Sequence, residues 1–350
     1  MVQIPEKTRQ YYIPKLGEVK NLSIRNVDVP TAKPLEVLVK VHAVSLNYRD
    51  LLIARNQYAA GSRDGVIPCS DMAGEVVAIG EDVKKWQVGD RVTSNFTLDH
   101  IAGDITPAVQ KTALGGLLDG VLSEYKVFPE HSLLRIPEYM SYQEASTLPC
   151  AAVTAWNALH GPVPLKGGDY VLVQGTGGVS VFALQIAAAS GATVIATSSS
   201  DDKLLVAKQL GAKHTINYVE TPDWDKEVLK FTNGEGVHHI IEVGGPGTID
   251  KSLNCIRMGG YIHVIGFLGG MGTPPDQAPL PMKVLFKSAV VRGILIGSRT
   301  QFEDMNRLFE AHQIKPVVDN VFPFDEATTA YKRLESQKHL GKIVVQVSKD

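Results

Sequence analysis

From Tyr170 to Ser190 the chain reads Y-V-L-V-Q-G-T-G-G-V-S-V-F-A-L-Q-I-A-A-A-S, an apolar run that stops at a glycine turn and resumes with helical composition. This order suits a pyrophosphate. Gly175 allows the tight turn, Gly177 and Gly178 leave the backbone bare for close approach, and the unpaired N–H groups that open the helix, around Thr176 to Val179, aim positive charge at the ligand. The third position of the fingerprint, normally glycine, is Ser180. Glycine-rich turns also serve ordinary loops, so the flanking elements decide the reading.

Beyond that helix come a β-branched strand at Thr193 to Thr197, helical spacing from Lys203 to Leu210, and a strand at His214 to Tyr218. A helix at Trp224 to Phe231, a strand at His238 to Val243, a helix at Thr248 to Ile256 and strands at Tyr261 to Ile265 and Val290 to Ile294 follow. Alternating β and α runs, with strands apolar on both faces, predict a parallel sheet covered by helices. Six such strands predict the α/β, doubly wound dinucleotide fold, whose ligand crosses the carboxyl ends of the strands. Those ends place Val243-Gly244-Gly245, Gly266-Phe267-Leu268 and Gly297-Ser298-Arg299 along the ligand edge, or simply make turns there. The second strand ends Ala196-Thr197-Ser198-Ser199-Ser200, with hydroxyls where NAD-selective folds carry an acid for the ribose 2′-hydroxyl. A 2′-phosphate is not repelled there, which favours NADPH. Asp201 and Asp202 either cap the next helix or turn toward the ribose and favour NAD.

A chain of 350 residues has room for two domains. Glu36 to Asn47 and Ala73 to Gly80 alternate apolar and polar residues between Gly and Pro punctuation, which predicts a β-rich, partly open barrel. After the sixth parallel strand the character changes: helical at Gln301 to His312, extended at Val317 to Phe324, helical at Asp325 to Ser336, extended at Gly341 to Val347. The expectation is therefore a barrel domain from 1–150 and 297–350, interrupted by a nucleotide domain at 151–296, with substrate in the cleft between them. The segments Thr97 to Leu118 and Gly269 to Pro281 would border that pocket. A formal charge of −2 without a basic block gives nucleic acid nothing to hold. Cys69, Cys150 and Cys255, odd in number and far apart, suit a reducing compartment. The N-terminus lacks an apolar signal core and no stretch approaches about 18 uninterrupted apolar residues, so a soluble cytoplasmic protein is expected.

Several segments coincide with one superfamily: S-L-N-Y-R-D-L-L-I (45–53), A-G-E-V-V-A-I-G-E-D-V (73–83), V-G-D-R-V (88–92), T-L-P-C-A-A-V-T-A-W-N-A-L (147–159), V-Q-G-T-G-G-V-S (173–180), K-Q-L-G-A-K-H-T-I-N-Y (208–218) and G-K-I-V-V-Q-V (341–347). The chain resembles a medium-chain dehydrogenase/reductase over nearly its whole length, and within that superfamily the zinc-free, quinone oxidoreductase-like branch. The resemblance implies a Rossmann domain inserted into a GroES-like catalytic domain, NAD(P)H as hydride carrier, and a homodimer formed through the last Rossmann strand.

The resemblance also implies where a metal would sit. Zinc-dependent members use a Cys in the segment matching 45–53, a His-Glu pair after the next strand, and a Cys at the start of the inter-domain helix. Here those positions are Asn47, Ser70-Asp71 and Cys150, and no cysteine lies between Asn95 and Gly116, where such enzymes carry a structural zinc lobe. A catalytic zinc needs three protein ligands, so neither zinc is expected. The competing set would be Cys150, Asp71 and a stray His42.

By resemblance, Lys203 and Tyr218 contact the 2′-phosphate of NADPH, beside the Ser199 hydroxyl that stands where the acid would be; otherwise Ser199 caps a helix, Lys203 is solvated and Tyr218 packs in the core. Lys342 matches a position that reaches cofactor phosphates, or is a surface lysine. Asn47 can offer an amide N–H to a carbonyl oxygen or close a turn. Tyr58 matches a substrate-pocket tyrosine or lies on a rim, and its usual aromatic companion is Leu52. Thr154 lies beside the nicotinamide or bonds back into its helix. His42, His100 and His160 are isolated and read as structural. The functions implied are hydride transfer from NADPH to a quinone or an α,β-unsaturated carbonyl, with solvent as proton source; an alcohol dehydrogenase or ketone reductase; or a cofactor-binding protein with vestigial activity.

Overall fold

The computed structural model describes residues 4–268 and 280–348. The chain divides into two compact units, 1–153 with 297–350, and 154–296. The division falls at Val153/Thr154 rather than 150/151. A π-helical turn at Leu148–Ala152 runs straight into the Val153–His160 helix, so no linker marks the change.

The first unit is built on a seven-stranded sheet. Its order is Val318–Pro323, Lys342–Gln346, Glu36–Ser45, Asp71–Ile79, Arg91–Ser94 and Leu133–Arg135, with Tyr125–Pro129 also paired to Glu36–Ser45. All neighbours are antiparallel except the first two. Glu36–Ser45 is the hub because Val37, Val39, Val41 and Val44 are all buried, packed with Leu51, Phe128 and Tyr331. The Lys7–Tyr12 and Ser23–Asp28 pair and the short helix Tyr48–Ala54 were not expected from the sequence. That helix starts immediately after Asn47, in a segment too short to show its period.

The second unit is a six-stranded, all-parallel sheet in the order Ala212–Asn217, Thr193–Ser198, Tyr170–Gln174, Val237–Glu242, Ile256–Val264, Val290–Gly293. Order reverses at Tyr170–Gln174, the switch point at which this fold gathers a ligand. Leu172, Ile195, Ile216, Ile240 and Ile262 share one buried cluster with Trp224 and Val228 of a covering helix. Of the Gly269 to Pro281 segment, only Leu280 onward lies among the described residues, opening the helix Leu280–Lys287. Among the described residues no helix is long and apolar enough to cross a membrane.

Candidate active site

In the first unit three strand ends converge. Ser45 lies opposite Asp71 on one side and opposite Val344 on the other, a register that gathers the residues near each end: Asn47, Ser70-Asp71 and Lys342. The Asn47 backbone N–H donates to Asp50 Oδ2 at 2.8 Å, and the Asn47 side chain faces the Asp50 backbone in a capping box, so the residue closes the helix entry as well as reaching the neighbouring strand ends. Asn47 Oδ1 accepts from Lys342 Nζ at 2.5 Å, and that ammonium also donates to the Leu46 carbonyl at 2.7 Å. Asn47 Nδ2 donates to Ser70 Oγ at 3.4 Å, Ser70 Oγ donates to Asp71 Oδ1 at 2.6 Å, and Asp71 Oδ2 accepts from the Cys150 N–H at 3.0 Å. Lys342 is only 4% exposed, so it is no surface lysine.

Burial pushes the Asp71 carboxyl above its ordinary range, against the pull of Lys342, Ser70, Asn47 and the Cys150 N–H. Burial likewise pushes Asp50 up to about 6, against the pull of Arg49 and the Asn47 N–H. The Cys150 thiol is pushed well up by burial and by Asp71, which disfavours its thiolate. Gly120 passes so close to the carbonyl of Cys69, just before Ser70, that a Cβ there would collide with it. Cys69 itself takes φ +68, and its Sγ meets the Tyr331 hydroxyl at 3.4 Å. Strain of this kind in a well-packed segment holds the next two residues in one place.

Tyr58 is partly buried, with its ring against the Arg49 guanidinium at 5.0 Å; Phe96 covers the same cation at 4.8 Å. Arg49 donates to the Leu114 carbonyl at 2.7 Å, and its buried Nε has no acceptor among the described residues. Sequence reasoning missed Arg49, although it lies two residues after Asn47 and immediately before Asp50. Phe96 and Leu114 belong to or border a stretch that carries no chemical signature. Ser298 caps the Arg299–His312 helix, its hydroxyl accepting from the Gln301 N–H at 3.3 Å.

In the second unit the glycine turn has the form a pyrophosphate needs. Gly175 takes φ +71, and a Cβ on Gly175 or Gly177 would meet open space within 4 Å. The Gly178–Ala189 helix has no side-chain cap, so its first N–H groups around Val179 keep their capacity for an anion. Thr176 is buried beneath the turn. Ser180 fills the missing glycine's place by donating to the Gln174 carbonyl at 2.7 Å, which preserves the close helix-to-strand approach.

Ser200, not Ser199, holds the N-cap position of the Asp201–Gln209 helix, and Ser199 is exposed. Asp201 accepts from Asn217 Nδ2 at 2.9 Å, which ties it to the neighbouring strand end. Tyr218 is 42% exposed and is not a core residue, while Lys203 lies in the first turn of the helix. Thr154 is buried and its Oγ1 has no hydrogen-bond partner among the described residues, so it does not bond back into its helix.

The turn at Val243, Gly244 and Gly245 is organised by Glu242, which sequence reasoning also missed. One carboxyl oxygen accepts from the Gly244 and Gly245 N–H groups, each at 2.9 Å, and from the Thr248 hydroxyl; the other accepts from Gln174 Nε2 and the Ser252 hydroxyl. Gly266 docks on this strand end through its N–H to the Glu242 carbonyl, and Leu268 through its N–H to the Val243 carbonyl. Phe267 and Leu268 are left exposed.

The donor set of the first unit does not fit zinc. Asn47 and Ser70 are not ligand types, both Asp71 oxygens are engaged, the Cys150 thiol is held protonated, and a lysine ammonium already brings positive charge to the group. His42 stacks on Tyr142 at 4.2 Å. Among the described residues no group of three or more His, Cys, Asp or Glu side chains is arranged to hold a metal. The glycine turn of the second unit, by contrast, fits the diphosphate of a nicotinamide coenzyme.

A catalytic GroES-like unit and a coenzyme-binding unit define an oxidoreductase. Residues 33–138 match the alcohol dehydrogenase GroES-like domain and residues 178–311 the zinc-binding dehydrogenase family. The chain is 49% identical to the zinc-type alcohol dehydrogenase-like protein C1773.06c of Schizosaccharomyces pombe, over 90% of this chain and 91% of that one. It is 26% identical to human quinone oxidoreductase, over 91% and 92% of the two chains. A crystal structure of a putative alcohol dehydrogenase from Sinorhizobium meliloti superposes with TM-score 0.90 at 38% identity, covering 99% of this chain and 100% of that one. The protein belongs to the medium-chain dehydrogenase/reductase superfamily, whose members bind a nicotinamide cofactor.

Proposed function

We propose that the protein is an NADPH-dependent, metal-independent reductase of quinones or α,β-unsaturated carbonyls. The observation that supports this reading is the set of groups at the three strand ends, where the Asn47 amide, at the position that the resemblance gives to a metal ligand, is held by the Lys342 ammonium. The bound coenzyme supplies the hydride. Asn47 donates an amide N–H to the oxygen on which charge develops, and Tyr58 adds a phenol at the substrate. Thr154, with an unpartnered hydroxyl, positions the nicotinamide end. The backbone at Gly175, Thr176, Gly177, Gly178 and Val179 holds the diphosphate, while Val243, Gly244, Gly266, Phe267, Leu268 and Ser298 border the coenzyme. Protons come from solvent, which suits addition to an enone or quinone. NADPH oxidation with 9,10-phenanthrenequinone or an enone, and none with simple alcohols, is the expected result. Alcohol oxidation together with about one tightly held zinc per chain would refute it.

Ser199, Lys203 and Tyr218 form the 2′-phosphate contact. A hydrogen bond to a charged partner contributes roughly 1.5–3 kcal/mol, so Lys203→Ala should raise KM for NADPH about ten- to a hundredfold. KM for NADH should stay put. Equal changes for both coenzymes would remove the assignment.

The partner is a second copy of the chain. Val290–Gly293 is the last strand of its sheet, and Leu285 and Phe286, each 71% exposed, lie just before it. Pairing two such edges covers both the strand and the apolar side chains. Phe286→Glu should convert a sedimenting dimer to a monomer, and a wild-type protein already sedimenting as one chain would end the idea. All three cysteines are free, which agrees with a cytoplasmic setting.

A further inference from the structure

We infer that Lys342 is a positioning residue, whose buried ammonium fixes the Asn47 amide with its oxygen turned inward and its N–H groups turned toward the chemistry. This rests on the proposed role of Asn47 as oxyanion donor and names the group that makes it one. A primary amide has two ends of nearly equal shape and opposite function, and little intrinsic preference chooses between them. A lysine ammonium has three donors and no acceptor, so only the amide oxygen can face it. Here Nζ lies 2.5 Å from Asn47 Oδ1 and 2.7 Å from the Leu46 carbonyl, two contacts that pin the ammonium as well as the amide. The amide nitrogen is thereby directed to the opposite side, toward Ser70 Oγ at 3.4 Å and the Asp71 carboxyl.

The backbone fixes the lysine in turn. Its N–H donates to the Val317 carbonyl at 2.9 Å. The preceding Gly341 takes φ +72 and passes so close to that carbonyl that a Cβ would collide with it. Asp71, whose carboxyl Lys342 pulls toward the charged form, offsets the cost of burying the cation. Cation binding to an amide oxygen also draws electron density from the nitrogen, so the ammonium makes the Asn47 N–H a stronger donor. In this arrangement Lys342 acts on the reaction through Asn47 and does not touch the coenzyme.

The test uses the full chain with Lys342→Met, which keeps length and removes charge, and Lys342→Arg, which keeps charge. The Asn47 side-chain NH₂ signals in a ¹H–¹⁵N spectrum, assigned by their loss in Asn47→Ala, should shift or broaden in the Met variant and stay close to wild type in the Arg variant. With NADPH and 9,10-phenanthrenequinone, Lys342→Met should lower kcat about tenfold or more, with the NADPH dissociation constant unchanged within about twofold, and should have no added effect in the Asn47→Ala background. The inference is overturned if the amide signals ignore the Met substitution. It is also overturned if Lys342→Met weakens NADPH binding equally in both backgrounds, which would make Lys342 a phosphate contact. A wild-type protein that reduces no quinone or enone defeats the functional reading alone, and the amide spectra still decide the positioning. Should the Met variant fail to fold, Lys342→Gln keeps a donor for Leu46 while ending the exclusive demand for the amide oxygen, and the same spectra apply.

Discussion

Asn47→Ala should lower kcat for the proposed quinone or enone reduction by roughly 10²- to 10³-fold, the usual consequence of removing one preorganised donor from a developing oxyanion. On the proposed reading coenzyme affinity should be unchanged, because the glycine turn and the proposed Ser199, Lys203 and Tyr218 contact lie in the other unit. The substitution also leaves the Lys342 ammonium with only the Leu46 carbonyl as a hydrogen-bond partner among the described residues and removes one of the influences that hold the Asp71 carboxyl down. Some loss of stability therefore accompanies the loss of rate, and the two are separated by following kcat well below the unfolding transition. Asn47→Asp provides the sharper contrast. It keeps the size and an oxygen for Lys342 but replaces the N–H donor with an acceptor, so it should be at least as slow as alanine while melting closer to wild type. Steady-state kinetics with both coenzyme and acceptor varied, alongside thermal melts, measure both quantities. A kcat within about threefold of wild type in both variants would remove Asn47 from the chemistry.

The nucleotide unit is legible in the sequence because its signals are local. A strand apolar on both faces, a glycine turn and an apolar helix are contiguous, and each later strand carries the same signature. The first unit is legible as β structure, but its site is not, because the site is made by register. In sequence Lys342 is a surface or phosphate-contacting residue; only the pairing of Lys342–Gln346 with Glu36–Ser45 sets its side chain against Asn47. Arg49 is hidden by the same cause, since its aromatic cover comes from Tyr58 and Phe96 through tertiary contact. Histidines show the point in reverse. Nothing in the sequence joins His239 to His263, yet parallel pairing of their strands brings Nδ1 of one within 3.1 Å of Nε2 of the other. Burial lowers them to about 4 and about 3, as neutral, structural partners.

Glu242 had a signal that went unused: an acid closing an otherwise apolar strand, directly before Val243-Gly244-Gly245. A fully buried carboxyl that accepts hydrogen bonds from two backbone N–H groups, two hydroxyls and a glutamine amide is the hub of that strand end. Glu242→Ala strands those donors in a space too enclosed for bulk water. Breaking a buried network of this kind costs about 3–5 kcal/mol, which in a unit of this size lowers Tm by about 10 °C or more. The loss reaches function as well. Gly244 and Gly245 are released from their shared acceptor, and Gln174, whose carbonyl receives the Ser180 hydroxyl under the diphosphate turn, loses one of its anchors. Coenzyme binding should therefore weaken even at temperatures where the variant is folded. Glu242→Gln should fall between, because its amide oxygen can keep the two glycine N–H groups while its NH₂ must face Gln174 and Ser252, of which only the serine can turn to accept. Calorimetry and a coenzyme titration on both variants check the ordering, and an alanine variant that melts within about 2 °C of wild type would show that the donors find other partners.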